Sequence, residues 1–275
     1  MFSDLDPVGL EEYYLDYINK KNEENREERY VDKESYYHAS GAGFCSRKLY
    51  YQSIEKAKPT NTTHSIGKYR MRLGTIVHND FQNAFSDTYI YNNKDINNNN
   101  INILDIIKEK EYSKKKKPKV KFHIEQEIVI PELNVRGFYD IVAEQHEDQV
   151  RVYLYDLKTI GAFGWSKSFG RDIKNTNENY KLQLGTYGIA VKEQFGRLDG
   201  MYLLFYNKDT SQMKTVLVSN NYLKFAKNYW QNVIKEHSKG VPDFIKGISP
   251  AEKWACGYCD FKDHCNPPDY KNKVR

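Results

Sequence analysis

The chain has 275 residues, of which 39% are hydrophobic and 14% aromatic; that is enough apolar material for a packed core and excludes a disordered or fibrous protein. Its 42 lysines and arginines against 37 acidic side chains leave a net charge of +5, with the cations gathered in KKKKPKVK at 114–121 and in Lys68, Arg70 and Arg72, a distribution that suits a polyanionic partner, although any one such cluster is more often a solvated face. No run approaches the roughly 20 apolar residues that cross a bilayer, and MFSDLDPVGLEEYY opens acidic with no apolar core segment, so no signal peptide is expected and the chain reads as cytoplasmic.

In chain order, residues 8–30 place Leu10, Tyr14 and Ile18 at helical spacing, an amphipathic surface helix. In 40–52, Ser40 is a candidate cap for a helix carrying Cys45, with Arg47 and Lys48 directly after it. Residues 66–86 form a further helix with Leu73, Val77, Phe81 and Ala84 on one stripe. His78 lies beside that stripe, where a histidine is more often a satisfied core residue than a ligand. Residues 92–119 combine an asparagine run, a short helical stretch at 104–112 and the lysine run. Polar low-complexity sequence of this kind cannot order itself, so it is expected to be a flexible insertion in a single domain spanning 1–275. Strands are predicted over 120–130, 133–143 and 150–159, with EQHEDQ at 144–149 as a hairpin loop. A helix over 176–195, capped by Asn175 or Thr176, carries Gln183 and Tyr187 on one face, and Gly185 and Gly188 allow close packing. Strands at 198–206 and 212–218 and a helix at 220–238 complete an α/β pattern.

The hairpin brings Asp140 beside Asp156, and the period of two puts Lys158 on the same face as Asp156, about 7 Å along the strand. Two carboxylates within about 4 Å repel by roughly 4 kcal/mol at an effective dielectric of about 20, so their juxtaposition favours a bound cation. Oxygen ligands select Mg²⁺ or Mn²⁺, and a nearby lysine can neutralise charge building on a phosphate. A surface salt bridge is the plain alternative. The 23 tyrosines interleaved with basic residues point to single-stranded nucleic acid, whose bases stack on aromatic rings.

Residues 254–265, WACGYCDFKDHC, hold Cys256, Cys259 and Cys265 in a C-x2-C-x5-C run, and the only other cysteine is Cys45, far upstream. A fourfold thiolate site would staple 40–52 to 254–265. The split of one and three is more like an iron–sulfur cluster than structural zinc, which usually pairs two close-spaced couples; zinc and free thiols remain the alternatives.

Taken together, Cys45, His78, Gly137-x-x-Asp140, Asp156-x-Lys158, Gln183-x3-Tyr187 and Cys256-x2-Cys259-x5-Cys265 resemble, in this order, the RecB-type PD-(D/E)XK nucleases with an iron–sulfur cluster, among them the CRISPR-associated adaptation exonucleases and their phage-encoded relatives. The resemblance covers residues 40–265 apart from the insertion. It implies a restriction-endonuclease-like core, a central mixed sheet flanked by helices, with its two ends joined by a [4Fe–4S] cluster on the four cysteines. It further implies that His78, Asp140, Asp156 and the Leu157 carbonyl hold the metal. Lys158 corresponds to the catalytic lysine, and Gln183 and Tyr187 correspond to the motif that positions the DNA strand. CSRKLYY at 45–51 is similar to the family's C-P-R-K-Y-Y segment, with Ser46 where proline is usual. The implied activity is exonucleolytic cutting of single-stranded DNA from a 5′ end, alongside recombination or CRISPR adaptation proteins. A structure-specific or RNA endonuclease and a non-catalytic DNA-binding subunit are the alternatives.

Overall fold

A computed structural model of the chain describes residues 10–30, 36–59, 65–93, 119–146, 148–171, 177–243, 256 and 259–265. In chain order the elements are α1 (Leu10–Tyr30), β1 (Tyr37–His38), α2 (Ser46–Ser53), α3 (Ser65–Asn93), β2 (Lys119–Ile130), β3 (Val135–His146), β4 (Val150–Ile160), α4 (Ala162–Phe169), α5 (Glu178–Phe195), β5 (Gly200–Asn207), β6 (Met213–Val218), α6 (Asn221–His237) and the single turn α7 (Lys262–Cys265). The chain divides into two compact units. One comprises Met1–Val77, Ile130–Arg136 and Asn228–Arg275; the other comprises His78–Val129 and Gly137–Lys227.

The second unit is an α/β arrangement around a mixed sheet. β3 and β4 are antiparallel, from Ile141 opposite Tyr155 to His146 opposite Val150. β4 and β5 are parallel, from Tyr153 with Gly200 to Ile160 with Asn207, and β5 and β6 are antiparallel; β2 pairs with β3. A parallel pair needs a long crossover, and here α4 and α5 supply it. The strand period of two buries Val152, Leu154 and Asp156 on one face of β4 and Met201, Leu203 and Phe205 on the same face of β5. Each apolar side chain there contributes about 1.5–3 kcal/mol. Against that face lies α5, with Leu184, Tyr187 and Val191 buried at helical spacing. The approach is close at the two glycines. A methyl on Gly185 would stand 2.4 Å from the Tyr222 carbonyl oxygen, and one on Gly188 would stand 2.6 Å from the Met201 sulfur.

In the first unit, Ile18, Tyr37, Leu49, Trp230 and Val233 are buried, with the Tyr37 and Trp230 rings 5.7 Å apart. β1 runs parallel to the first two residues of β3, Tyr37 with Val135 and His38 with Arg136.

The predicted elements are present, with four differences. The hairpin loop is shorter than EQHEDQ, because Glu144, Gln145 and His146 pair with Val152, Arg151 and Val150 and polar side chains do not interrupt a ladder at an exposed strand end. Ser40 sits in a 3-10 turn and Cys45 takes the cap position of α2. α5 starts after Asn177, whose side-chain oxygen accepts from Ser168 Oγ at 3.3 Å rather than capping the helix; Asn175 and Thr176 lie outside the described residues. In α1 only Ile18 of the expected stripe is buried, while Leu10 is 66% exposed. Of the expected insertion at 92–119, residues 92 and 93 close α3 and Lys119 opens β2, while 94–118, with the 104–112 helix, lie outside the described residues. Among the described residues no helix is long and apolar enough to cross a membrane.

Candidate active site

The β3–β4 register ends at the Ile141–Tyr155 pair, and the same register carried one step further would set Asp140 opposite Asp156. Asp140 Oδ2 accepts a 2.7 Å hydrogen bond from the Leu157 backbone N–H. Asp156 is 1% exposed. Lys158 Nζ stands 2.7 Å from its Oδ2, a charge-assisted contact. Burial pushes the Asp156 carboxyl up to about 6, against the pull of Lys158. For Lys158, burial pulls downward, but Asp156 and Asp140 outweigh it and its pKa ends above the ordinary value.

His78 reaches the site from α3, with Nδ1 3.8 Å from Asp140 Oδ2. Its pKa is lowered by burial and then by Lys158, with Asp156, Glu125 and a backbone hydrogen bond to Leu157 acting the other way. The neutral imidazole that results is the form able to ligate a metal. On α5, Gln183 Oε1 accepts from Lys158 Nζ at 2.9 Å, and Gln183 Nε2 donates to the Tyr187 hydroxyl at 3.0 Å. Burial holds the Tyr187 hydroxyl protonated, well above the ordinary range.

Two residues escaped the sequence reading. The Tyr180 ring lies 5.1 Å from Lys158 Nζ, and its place three residues before Gln183 is a helical signal that could have found it. Glu125, in β2, holds a left-handed φ of 48° and accepts from Gln82 Nε2 at 2.5 Å; its charge is felt by both His78 and Tyr187. Nothing in HIEQEIVI marks a residue that leaves strand geometry.

Two carboxylates, a neutral imidazole and an ammonium thus converge, a donor set suited to a hard divalent ion beside a fixed positive charge. Among the described residues no three histidine, cysteine, aspartate or glutamate side chains stand at the spacing that grips one ion. The Lys158 ammonium stands against Asp156 Oδ2. The residues fit a divalent ion in donor type, two carboxylates and a neutral imidazole around a carboxylate whose buried charge already draws a cation to it.

The cysteines form a separate group within the first unit. Cys256 is influenced by Cys45 and Cys259, and Cys265 by Cys45, Cys259 and Cys256; burial is the leading cause that raises both thiols. Cys45 is held at the start of α2 by neighbouring bonds. Ser46 Oγ contacts Glu236 and lies 3.1 Å from His237 Nε2, and His237 Nδ1 lies 2.7 Å from the Tyr37 hydroxyl. Lys48 Nζ pairs with Asp260 Oδ2 at 3.1 Å, tying α2 to the loop that carries Cys259. Among the described residues no group of three cysteines is placed to hold a metal ion.

The family profile of the PD-(D/E)XK nuclease superfamily matches residues 103–266, over half of the chain and including Asp140, Asp156, Lys158, Gln183 and Tyr187. No curated protein matches the sequence. Among solved structures, SSO0001 is similar at 14% identity with a TM-score of 0.47, over 94% of this chain and 96% of that one. A candidate exonuclease from Eubacterium rectale is similar at 14% identity with a TM-score of 0.37, over 73% of this chain and 79% of its own.

Proposed function

Because the chain belongs to the PD-(D/E)XK nuclease superfamily, we propose that it is a divalent-metal-dependent exodeoxyribonuclease that degrades single-stranded DNA from a 5′ end. His78, Asp140, Asp156 and the Leu157 carbonyl would hold Mg²⁺ or Mn²⁺. The observation that carries this reading is the buried Asp156 carboxylate with Lys158 Nζ 2.7 Å from its Oδ2, beside the Asp140 and His78 pair.

The bound ion would polarise the scissile phosphodiester and lower the pKa of the attacking water. Lys158 presents its positive charge where negative charge develops on the phosphate, the arrangement that stabilises such a transition state. Gln183 and the Tyr180 ring hold the ammonium on the side of the site lined by α5, and Tyr187 fixes the amide of Gln183. His78, kept neutral, offers a lone pair and carries no charge of its own. Backbone phosphates and base faces are the recognised groups, so sequence preference should be weak and salt dependence strong.

Cys45, Cys256, Cys259 and Cys265 would carry a [4Fe–4S] cluster, a reading supported by the one-and-three split of the cysteines in the sequence and by their shared neighbourhood. The same resemblance suggests work beside CRISPR adaptation or phage recombination proteins.

The deciding assay compares linear and circular single-stranded DNA with Mg²⁺ or Mn²⁺. Digestion of the linear form alone, with products released from the 5′ end, is expected; cutting of the circle would make the protein an endonuclease. His78→Ala should weaken divalent-ion binding by about tenfold in calorimetric titration, with little change in metal-free melting temperature. A large loss of melting temperature with an unchanged titration would instead mark His78 as a core residue.

A further inference from the structure

Phe163 is 78% exposed, the most exposed large apolar side chain among the described residues. It stands on α4, which follows directly from the strand that carries Lys158. The helix is firmly seated. The N–H of Ala162 donates to Asp209 Oδ2 at 2.7 Å, the Trp165 and Phe169 rings are 4.9 Å apart, and Phe169 lies 5.0 Å from Phe205. Phe205 in turn lies 6.2 Å from Tyr180, the ring beside Lys158. A continuous aromatic chain therefore links α4 to the candidate site, and α4 uses Trp165, Ser168 and Phe169 for packing while Phe163 points outward.

Cations accompany these rings. Lys167, four residues on, lies 5.2 Å from the Phe163 ring centre, and Lys214 lies 4.6 Å from that of Phe169. Lys167 pins one face of the Phe163 ring and leaves it broadly open to solvent. A surface pair of this kind adds little to helix stability, and leaving an aromatic ring in water has no structural return.

We propose that Phe163 is a base-stacking residue whose open face receives one nucleobase of single-stranded DNA, with the flanking phosphates drawn to Lys167 and Lys214. Alternating rings and cations are the combination that binds a single strand without sequence preference. A base inside a duplex is already stacked on both faces and cannot be received, so the residue would favour single strands. This inference rests on the nuclease reading of the adjoining site and adds the feature that selects the strand.

The test uses the full-length protein and fluorescein-labelled single-stranded oligonucleotides, with binding followed by anisotropy in Ca²⁺ and cleavage in Mg²⁺. Phe163→Ala should bind about tenfold more weakly, the loss of one stacked base, with unchanged melting temperature and unchanged binding to blunt duplex. Phe163→Trp should bind as well as the native protein. Across a series with one abasic position moved along the strand, the native protein should lose about tenfold at one register, and Phe163→Ala should be indifferent at that register. Equal binding by Phe163→Ala, or an abasic profile identical in both proteins, would overturn the proposal. So would a variant whose only defect is association with another protein, which would make the ring a protein contact. Native protein that shows the stacking register yet never cuts would overturn the nuclease reading alone; cleavage by the native protein with identical cutting by Phe163→Ala would overturn stacking alone.

Discussion

Lys158→Ala is expected to lower turnover on single-stranded DNA by at least about a hundredfold, the scale of losing one preorganised charge aimed at the transition state, while folding and DNA affinity survive. In the proposed mechanism the ammonium acts where charge develops, so its loss should cost rate without costing ground-state binding. The variant should fold because Asp156, whose carboxyl burial already lifts to about 6, can take up a proton once its cationic neighbour is gone. That escape avoids an uncompensated buried charge. Asp156→Ala should be equally inactive, since it removes the carboxylate on which the cation site depends. Single-turnover cleavage with Mn²⁺ and thermal melting of the same preparations check both, and more than a tenth of native turnover in either variant would remove these residues from the chemistry.

Cys45→Ser should have the second-largest effect, on stability and colour rather than on chemistry. A cluster held by Cys45 and the three C-terminal cysteines closes a loop of most of the chain, and such a closure constrains the unfolded state by several kcal/mol, comparable with the stability of a whole domain. Protein purified without oxygen should be brown, absorb broadly near 400 nm and carry about four irons per chain. The variant should lose colour and iron and become insoluble or easily cleaved at both ends. One zinc and no iron in the native protein would replace the cluster but keep the staple. An equally stable variant with unchanged metal content would defeat both.

Much of this was legible because the relevant signals are periodic. The β3–β4 hairpin shows itself in strand alternation, and its register, carried one step past Ile141 and Tyr155, would set Asp140 opposite Asp156. Gln183 and Tyr187 share a face at four-residue spacing, and the two glycines of α5 do mark a close approach. What stayed hidden depends on partners distant in sequence. His78 was named only by the family resemblance, because on its own helix it is a bystander, and in the fold it stands near Asp140. The contact between Lys158 and Asp156 is a choice of rotamer, which spacing does not dictate. α4 was missed because AFGWSKSF is short and glycine-interrupted, and what fixes it is Asp209 at its start and Phe205 beneath it. Glu125 gives no local sign of its left-handed backbone.

Gly185 sits midway between Gln183 and Tyr187, where only a hydrogen fits against the Tyr222 carbonyl. Helix backbone there meets the Tyr222 backbone directly, so the amide that holds Lys158 sits on a helix whose distance from its neighbour is fixed by that contact. The alignment of the candidate catalytic lysine is thus set partly by an atom that is missing, on the far side of the helix from the chemistry. Any side chain at position 185 would shift the register of the site before it changed a single reacting group.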